Sequence, residues 1–185
     1  MYYKLVRKLF QRAARKMCQD CKDFIKEGSE ILDLGCGSGV VGQEFAKFFK
    51  AKITGIDIKD YRVEKIPFQI FDGLNIPFPE KSFDVVLVNF VLHHARDPIY
   101  LLREAKRVSR DKIIIFEDLP EGFISKFFCW FHGTSFDTFF KNPNRTFFKT
   151  EKEWLKVFEE LNIKTVFNKI THNFPRKKEL FILGT

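Results

Sequence analysis

The stretch Ile31-Leu-Asp-Leu-Gly-Cys-Gly-Ser-Gly39 decides the fold. Its apolar start predicts a buried strand over Glu30–Leu34, which runs into a turn carrying glycines at 35, 37 and 39. Glycine reaches positive φ without strain and lets a ligand approach the main chain closely. The residues that follow predict a helix over Val40–Phe49, with Val41, Phe45, Phe48 and Phe49 on one side. The start of such a helix presents N–H groups with no partner inside it. A bare strand-to-helix turn needs fewer glycines, so this one reads as a binding loop.

Working outward, strands are expected at Lys52–Asp57, Phe68–Phe71, Asp84–Asn89 and Lys112–Glu117. The fourth strand, DVVLVN, is apolar enough to be covered on both faces. A helix is expected at Pro98–Val108, with proline in its first turn. Strands alternating with helices imply a parallel α/β sheet. Only about ten residues join the second strand to the third, too few for the usual helical crossover. Before the loop, residues 3–27 read as an amphipathic N-terminal helix, with Leu5, Leu9, Ala13 and Met17 on the apolar face.

Past Asp118 the pattern changes. Residues 119–149 carry Phe123, Phe127, Phe128, Trp130, Phe131, Phe136, Phe139, Phe140, Phe147 and Phe148 with weak periodicity. We expect this aromatic segment to cap the site. Thr150-Glu-Lys-Glu153 then has the form of a capping box and opens a helix through Trp154, Val157, Phe158 and Leu161. Strands are expected near Lys164–Ile170 and Glu179–Leu183.

The 185 residues fit one domain, and an apolar fraction of 45% is ample for a core. The net charge of +8 allows contact with nucleic acid or anionic lipid, but the basic residues are spread along the chain as on a solvated surface. No apolar run is long enough to span a bilayer, and the N-terminus lacks a signal-peptide core. A cytoplasmic location with reduced cysteines is expected. Cys18 and Cys21 form a lone C-x-x-C with no second pair, so no metal is assigned.

Two cofactors compete for the glycine loop. Gly37-Ser-Gly39-Val-Val-Gly42 fits the dinucleotide fingerprint, with Asp57 about twenty residues beyond it. Tyr61 and Lys65 fit the Y-x-x-x-K of short-chain dehydrogenases, yet they stand too early in the chain for that role. The alternative rests on a longer frame: Asp33 and Gly35 ahead of the fingerprint, Phe71-Asp72 after the third strand, and Pro77-Phe-Pro-Glu-Lys-Ser-Phe-Asp84 before the fourth. Val91-Leu-His-His94, Asp97-Pro98 and Leu102-Arg-Glu104 continue it. In order and spacing these resemble the class I methyltransferases that use S-adenosylmethionine (SAM), in the type 11 group that includes quinone and other small-molecule methyltransferases.

That resemblance implies a Rossmann-like three-layer α/β sandwich with a seven-stranded, mostly parallel sheet whose last strand is antiparallel. It implies that Asp33, Gly35, Cys36, Gly37 and Gly39 line the methionine part of SAM, and that Asp57 accepts from the ribose hydroxyls. Ile58, Asp72, Gly73 and Leu74 fall on the adenine, and Asn89 and Phe90 near the ammonium and sulfonium. His93 and His94 are the candidates for a catalytic base, although an acceptor that is already an anion needs none. The expected acceptor is small or lipid-like, with peripheral membrane contact through the N-terminal helix or the aromatic segment as one way to reach it. Alternatives are RNA or protein methylation and a non-catalytic SAM-binding partner. Asn89-Phe-Val-Leu lacks the Pro-Pro-aromatic motif of base amino-group methylation, and no Pro-Cys pair marks a pyrimidine-carbon enzyme, which argues against nucleic acid. The oligomeric state is left open.

Overall fold

The computed structural model describes residues 2–139 and 146–185, excluding the side chains of residues 2–6, 136 and 139. In chain order the elements are α1 (Tyr2–Asp20), β1 (Glu30–Leu34), α2 (Val40–Phe49), β2 (Lys52–Asp57), β3 (Phe68–Ile70) and β4 (Phe83–Asn89). They continue as α3 (Pro98–Val108), β5 (Ser109–Leu119), α4 (Phe123–Phe139), α5 (Glu151–Glu160), β6 (Lys164–His172) and β7 (Lys177–Gly184). The strands form one sheet in the order β3-β2-β1-β4-β5-β7-β6. The first five run parallel, while β7 lies between β5 and β6 and is antiparallel to both. This is the mostly parallel seven-stranded sheet with an antiparallel last strand that the resemblance implies.

Alternation along the strands splits the core into two layers. Ile31, Leu87, Ile114 and Phe116 pack with Phe45 and Phe49 of α2 and with Met17, Cys18 and Cys21 at and just beyond the end of α1. Leu32, Leu34, Val86 and Val88 face the other way, onto Leu101 and Leu102 of α3 and Trp154 and Phe158 of α5. Each such apolar side chain contributes about 1.5–3 kcal/mol on burial. The helix termini follow the sequence: Asp97 caps α3 by accepting from Tyr100 N–H at 2.9 Å, and both halves of the Thr150/Glu153 capping box are present.

The N-terminal helix differs from the expectation in two ways. It stops at Asp20, with a short 3-10 turn over Lys22–Phe24, rather than running to residue 27. Its buried face is also rotated: Ala14, Met17 and Cys18 are buried, while Leu9 is 67% exposed. Met17 and Cys18 pack with Phe45 and Phe49 of α2, and Leu9 lies outside that contact.

The short β2–β3 connection carries no helix, as its length requires. It folds back onto the glycine loop instead, where Val63 N–H and Glu64 N–H donate to the Ser38 carbonyl at 2.9 and 3.3 Å. Arg7 of α1 clamps Glu64 through both carboxylate oxygens, at 2.6 and 2.9 Å. The aromatic stretch, where no helical period was read, contains the 17-residue helix α4. Phe140 lies outside the described residues.

Candidate functional site

The carboxyl ends of β1, β2 and β4 converge on the loop after β1, the edge where open α/β sheets bind ligands. Gly35 N–H and Cys36 N–H both donate to the Ile56 carbonyl, at 2.8 and 3.0 Å, fixing the loop to the end of β2. Gly35 has φ +70°, and a Cβ there would sit 2.4 Å from Val91 Cγ2, so the position excludes any side chain. Gly37 has φ +50°, and a Cβ there would meet nothing within 4 Å. That is a cradle open on the ligand side. Cys36 turns its thiol into the core against Gly55, leaving only its backbone on the loop.

Two acids and an amide surround this cradle. Asp33 is buried, and neither carboxylate oxygen has a hydrogen bond of normal geometry. Burial, and then the negative charge of Asp57, push its pKa up to about 7, with the Gly42 N–H as the one opposing influence. Asp57 accepts from Gly37 N–H at 2.8 Å and from Ile58 N–H at 2.7 Å. Burial raises its pKa, against the pull of those backbone donors. Asn89 ends β4 with both amide atoms buried and without a partner. Phe90 then turns the chain at φ +56°, an unusual conformation for a bulky residue and one found at functional turns.

On the β2–β3 side, Ile58 is 61% exposed, and its Cγ2 lies 3.1 Å from where a Gly73 Cβ would be. Asp72 is exposed and closes its own turn, accepting from Leu74 N–H, Asn75 N–H and the Asn75 amide at 2.7–2.8 Å. Those donors hold its pKa below the usual range. Leu74 N–H is therefore already engaged, which leaves Gly73 as the loop's candidate donor.

The histidines form a second group on the β4–β5 side. His93 is 2% exposed, and its Nδ1–H donates to Glu117 Oε2 at 2.5 Å. Glu117 Oε1 accepts from Leu92 N–H at 2.9 Å. His93 also stacks on Phe148, with centroids 4.7 Å apart. His94 Nδ1 lies 3.0 Å from Thr146 Oγ1, which donates in turn to Asp137 Oδ1 at 2.6 Å. His132 of α4 completes the cluster, its ring centroid 5.4 Å from that of His94 and 5.8 Å from that of His93. Burial holds His94 down to about 2 and His132 down to about 3, aided by nearby positive groups.

The sequence singled out His93 and His94 but not His132, Glu117, Thr146 or Asp137. The one available signal was Glu117-Asp118 at the end of an otherwise apolar strand, since paired acids do not suit a buried strand without partners.

Residues 32–116 match a family model described as "Methyltransferase domain". The chain is 32% identical over 99 residues to the 27-O-demethylrifamycin SV methyltransferase of Amycolatopsis mediterranei, and 34% identical over 97 residues to the sterol 24-C-methyltransferase ERG6B of Gibberella zeae. These matches take in 46% and 45% of this chain but only 36% and 26% of the two relatives. A SAM-dependent methyltransferase from Archaeoglobus fulgidus superposes over 100% of both chains with a TM-score of 0.73 and 15% identity, a likeness of fold alone.

A SAM-dependent methyltransferase from Aquifex aeolicus also shares the fold, with a TM-score of 0.69 and 19% identity. The residues present fit SAM. The site holds a buried amide without a partner and a buried carboxylate with only the Gly42 N–H near it, beside a cradle that a side chain would fill, and SAM carries a carboxylate and an ammonium that match them. Among the described residues, no helix is long and apolar enough to cross a membrane.

Proposed function

We propose that this chain transfers a methyl group from SAM to a small, apolar, lipid-like acceptor. One observation carries the reading: at the carboxyl edge of the sheet, beside the open Gly37, Asn89 is buried without a partner and Asp33 is buried with no hydrogen bond of normal geometry. Burying unpaired polar groups costs several kcal/mol in total, at roughly 1–3 kcal/mol each, so a ligand that pairs them recovers that energy on binding.

Asp33 is assigned to the ligand's ammonium, and Gly35, Cys36, Gly37 and Gly39 to its methionine portion through their backbone. Asp57 accepts from backbone N–H groups on both oxygens, and the lone-pair sites left over can accept from ribose hydroxyls. Ile58, Asp72, Gly73 and Leu74 form the adenine edge. Asn89 and Phe90 face the methyl-bearing end. SAM, when bound, supplies a methyl group already activated on sulfur. The protein then has to align the acceptor and exclude water, which is worth several kcal/mol in well-oriented reactions.

The acceptor side points to an apolar substrate. Phe123, Phe127, Trp130 and Phe131 are all more than half exposed on α4, directly after β5. We assign the described part of residues 119–149, namely 119–139 and 146–149, as the cap through which the acceptor enters; residues 140–145 lie outside the described residues. Two relatives are named for a demethylrifamycin and for a sterol, which is a lipid.

The test is calorimetry of the full chain with SAM and with NADH, followed by labelled-methyl transfer into organic-soluble, RNA and protein fractions. Binding of SAM and label in the organic fraction are expected. Tight NADH binding without SAM binding overturns the cofactor, and label confined to RNA or protein overturns the acceptor.

A further inference from the structure

We propose that His93, His94 and His132 form a binding site for one divalent transition-metal ion, with a remaining position open to water or to an oxygen of the methyl acceptor. One ring nitrogen from each of the three lies within 4.8 Å of those of the other two. Nitrogens around a tetrahedral zinc sit roughly 3.3 Å apart, given metal–nitrogen bonds of about 2.0–2.1 Å. Binding would draw the nitrogens together by at most about 1.5 Å.

Ring orientation supports the inference more than proximity does. Ligating histidines almost always give their other N–H to a carboxylate, carbonyl or water, which fixes the tautomer. His93 does so to Glu117, leaving its lone pair on Nε2, and that buried atom has no partner in the protein. The Thr146 hydroxyl has a single proton, which goes to Asp137. Thr146 therefore accepts from His94 Nδ1–H, and the His94 lone pair is also on Nε2. Two of the three rings are thus oriented by chains that end in carboxylates, and those carboxylates can offset the charge of an ion.

The surroundings are built to match. Gly133 follows His132 in α4, and a Cβ there would crowd Thr146 at 3.2 Å and Phe148 at 3.3 Å. This close approach brings α4 down onto the segment that orients both other histidines. Arg176 and Lys178 are the cations that act on His132; the Arg176 guanidinium is paired with Asp118 at 2.5 Å, and the Lys178 ammonium lies over the Phe90 ring. Three neutral nitrogens in a partly dry site suit zinc, cobalt, nickel or iron(II) over magnesium or calcium, which prefer oxygen. Binding of the ion stands apart from methyl transfer. Only the role of holding an acceptor oxygen rests on the methyltransferase reading.

The experiment titrates Co²⁺ alone into the metal-stripped full chain, followed by visible absorption, with Zn²⁺ competition by calorimetry and SAM affinity measured in parallel. One equivalent should bind with d–d bands and no thiolate charge-transfer band, and Cys18→Ser/Cys21→Ser should not change this. His132→Ala, on a partly exposed ring, should weaken binding by roughly 100-fold or more while circular dichroism and SAM affinity stay unchanged. Glu117→Gln should weaken it by roughly 10–100-fold. Absence of saturable binding, a thiolate band lost in the cysteine variant, or full binding in His132→Ala overturns the site. Metal binding without SAM binding would leave the site standing and remove the functional reading instead.

Discussion

The two sides of the carboxyl edge are built on different principles. On the cofactor side, from β1 to β4, the loop is tied to the end of β2 by paired hydrogen bonds, and a Gly35 side chain has no room. On the acceptor side, none of the described side chains of α4 belongs to either core layer, although Cys129 is buried, and several aromatics turn outward. The contact of α4 with the body runs through small buried positions, Ser125, Cys129 and Gly133, and through a hydroxyl bond from Ser125 to the Leu119 carbonyl at 2.5 Å. One side is fixed by backbone geometry that tolerates no change. The other is an appended helix whose exposed surface is free to match a particular acceptor.

If that contrast holds, the largest effect should come from Gly35→Ala. Positive φ costs about 1–2 kcal/mol for a non-glycine residue, and overpacking against Val91 adds about 1–3 kcal/mol. A loss of about 4 kcal/mol lowers Tm by roughly 8–16 °C for a chain of this size, as calorimetry would detect. A shift of a degree or two would mean that the loop is softer than its packing indicates.

The next effect is electrostatic. Asp33 is pushed up to about 7 in the folded chain, against about 3.9 when unfolded. Between those values the folded state keeps a proton that the unfolded state has lost, so stability falls as pH rises through this window. Asp33→Asn should remove the penalty. The SAM-free variant should be more stable than the parent at pH 8, by on the order of 4 kcal/mol, with the two converging below about pH 4. SAM affinity should fall in the same variant. Denaturant melts at both pH values test this, and equal stability at pH 8 would mean that Asp33 is already paired.

Smaller still are two substitutions aimed at affinity. Gly37→Ala meets no protein atom, so its stability cost should be only the backbone term of about 1–2 kcal/mol, while its methyl group occupies the cradle and SAM binding is lost. Asp57→Ala should weaken SAM by about 1.5–3 kcal/mol, the value of a charge-assisted hydrogen bond. Unchanged SAM titrations in both variants would move the cofactor away from this loop.

How far the sequence could be read follows the same division. The strands around the loop were legible because each is a short apolar run bounded by turn residues, and the antiparallel β7 followed from the resemblance together with two late strands. The helix α4 was not legible, because Phe123, Phe127, Phe128, Trp130 and Phe131 go round it instead of along one stripe, and periodicity reports burial on one side. The rotated face of α1 was missed because Leu9 looks like a core residue and is not one, whereas Ala14 and Cys18 are. The histidine cluster was hidden because it joins residues about forty positions apart, through a contact at Gly133 that no local pattern marks.

The smallest expected change in stability is the one that defines the acceptor side. Trp130 and Phe131 are 62% and 56% exposed, so replacing both with alanine removes little buried surface. Surface substitutions of this kind usually fall within about 0.5 kcal/mol each, and a melt should move by no more than a few degrees. SAM affinity should also hold, since neither ring belongs to the loop after β1. Turnover on an apolar acceptor should nevertheless collapse, because the exposed rings provide the surface on which such a molecule first comes out of water. Labelled-methyl assays in detergent and on liposomes separate the ways this can happen. Loss in both means that the rings contact the acceptor itself. Loss on liposomes alone means that they hold the protein at the membrane where the acceptor resides. If Tm and SAM affinity fall together instead, α4 is part of the core, and the division between a rigid cofactor side and an open acceptor side is wrong.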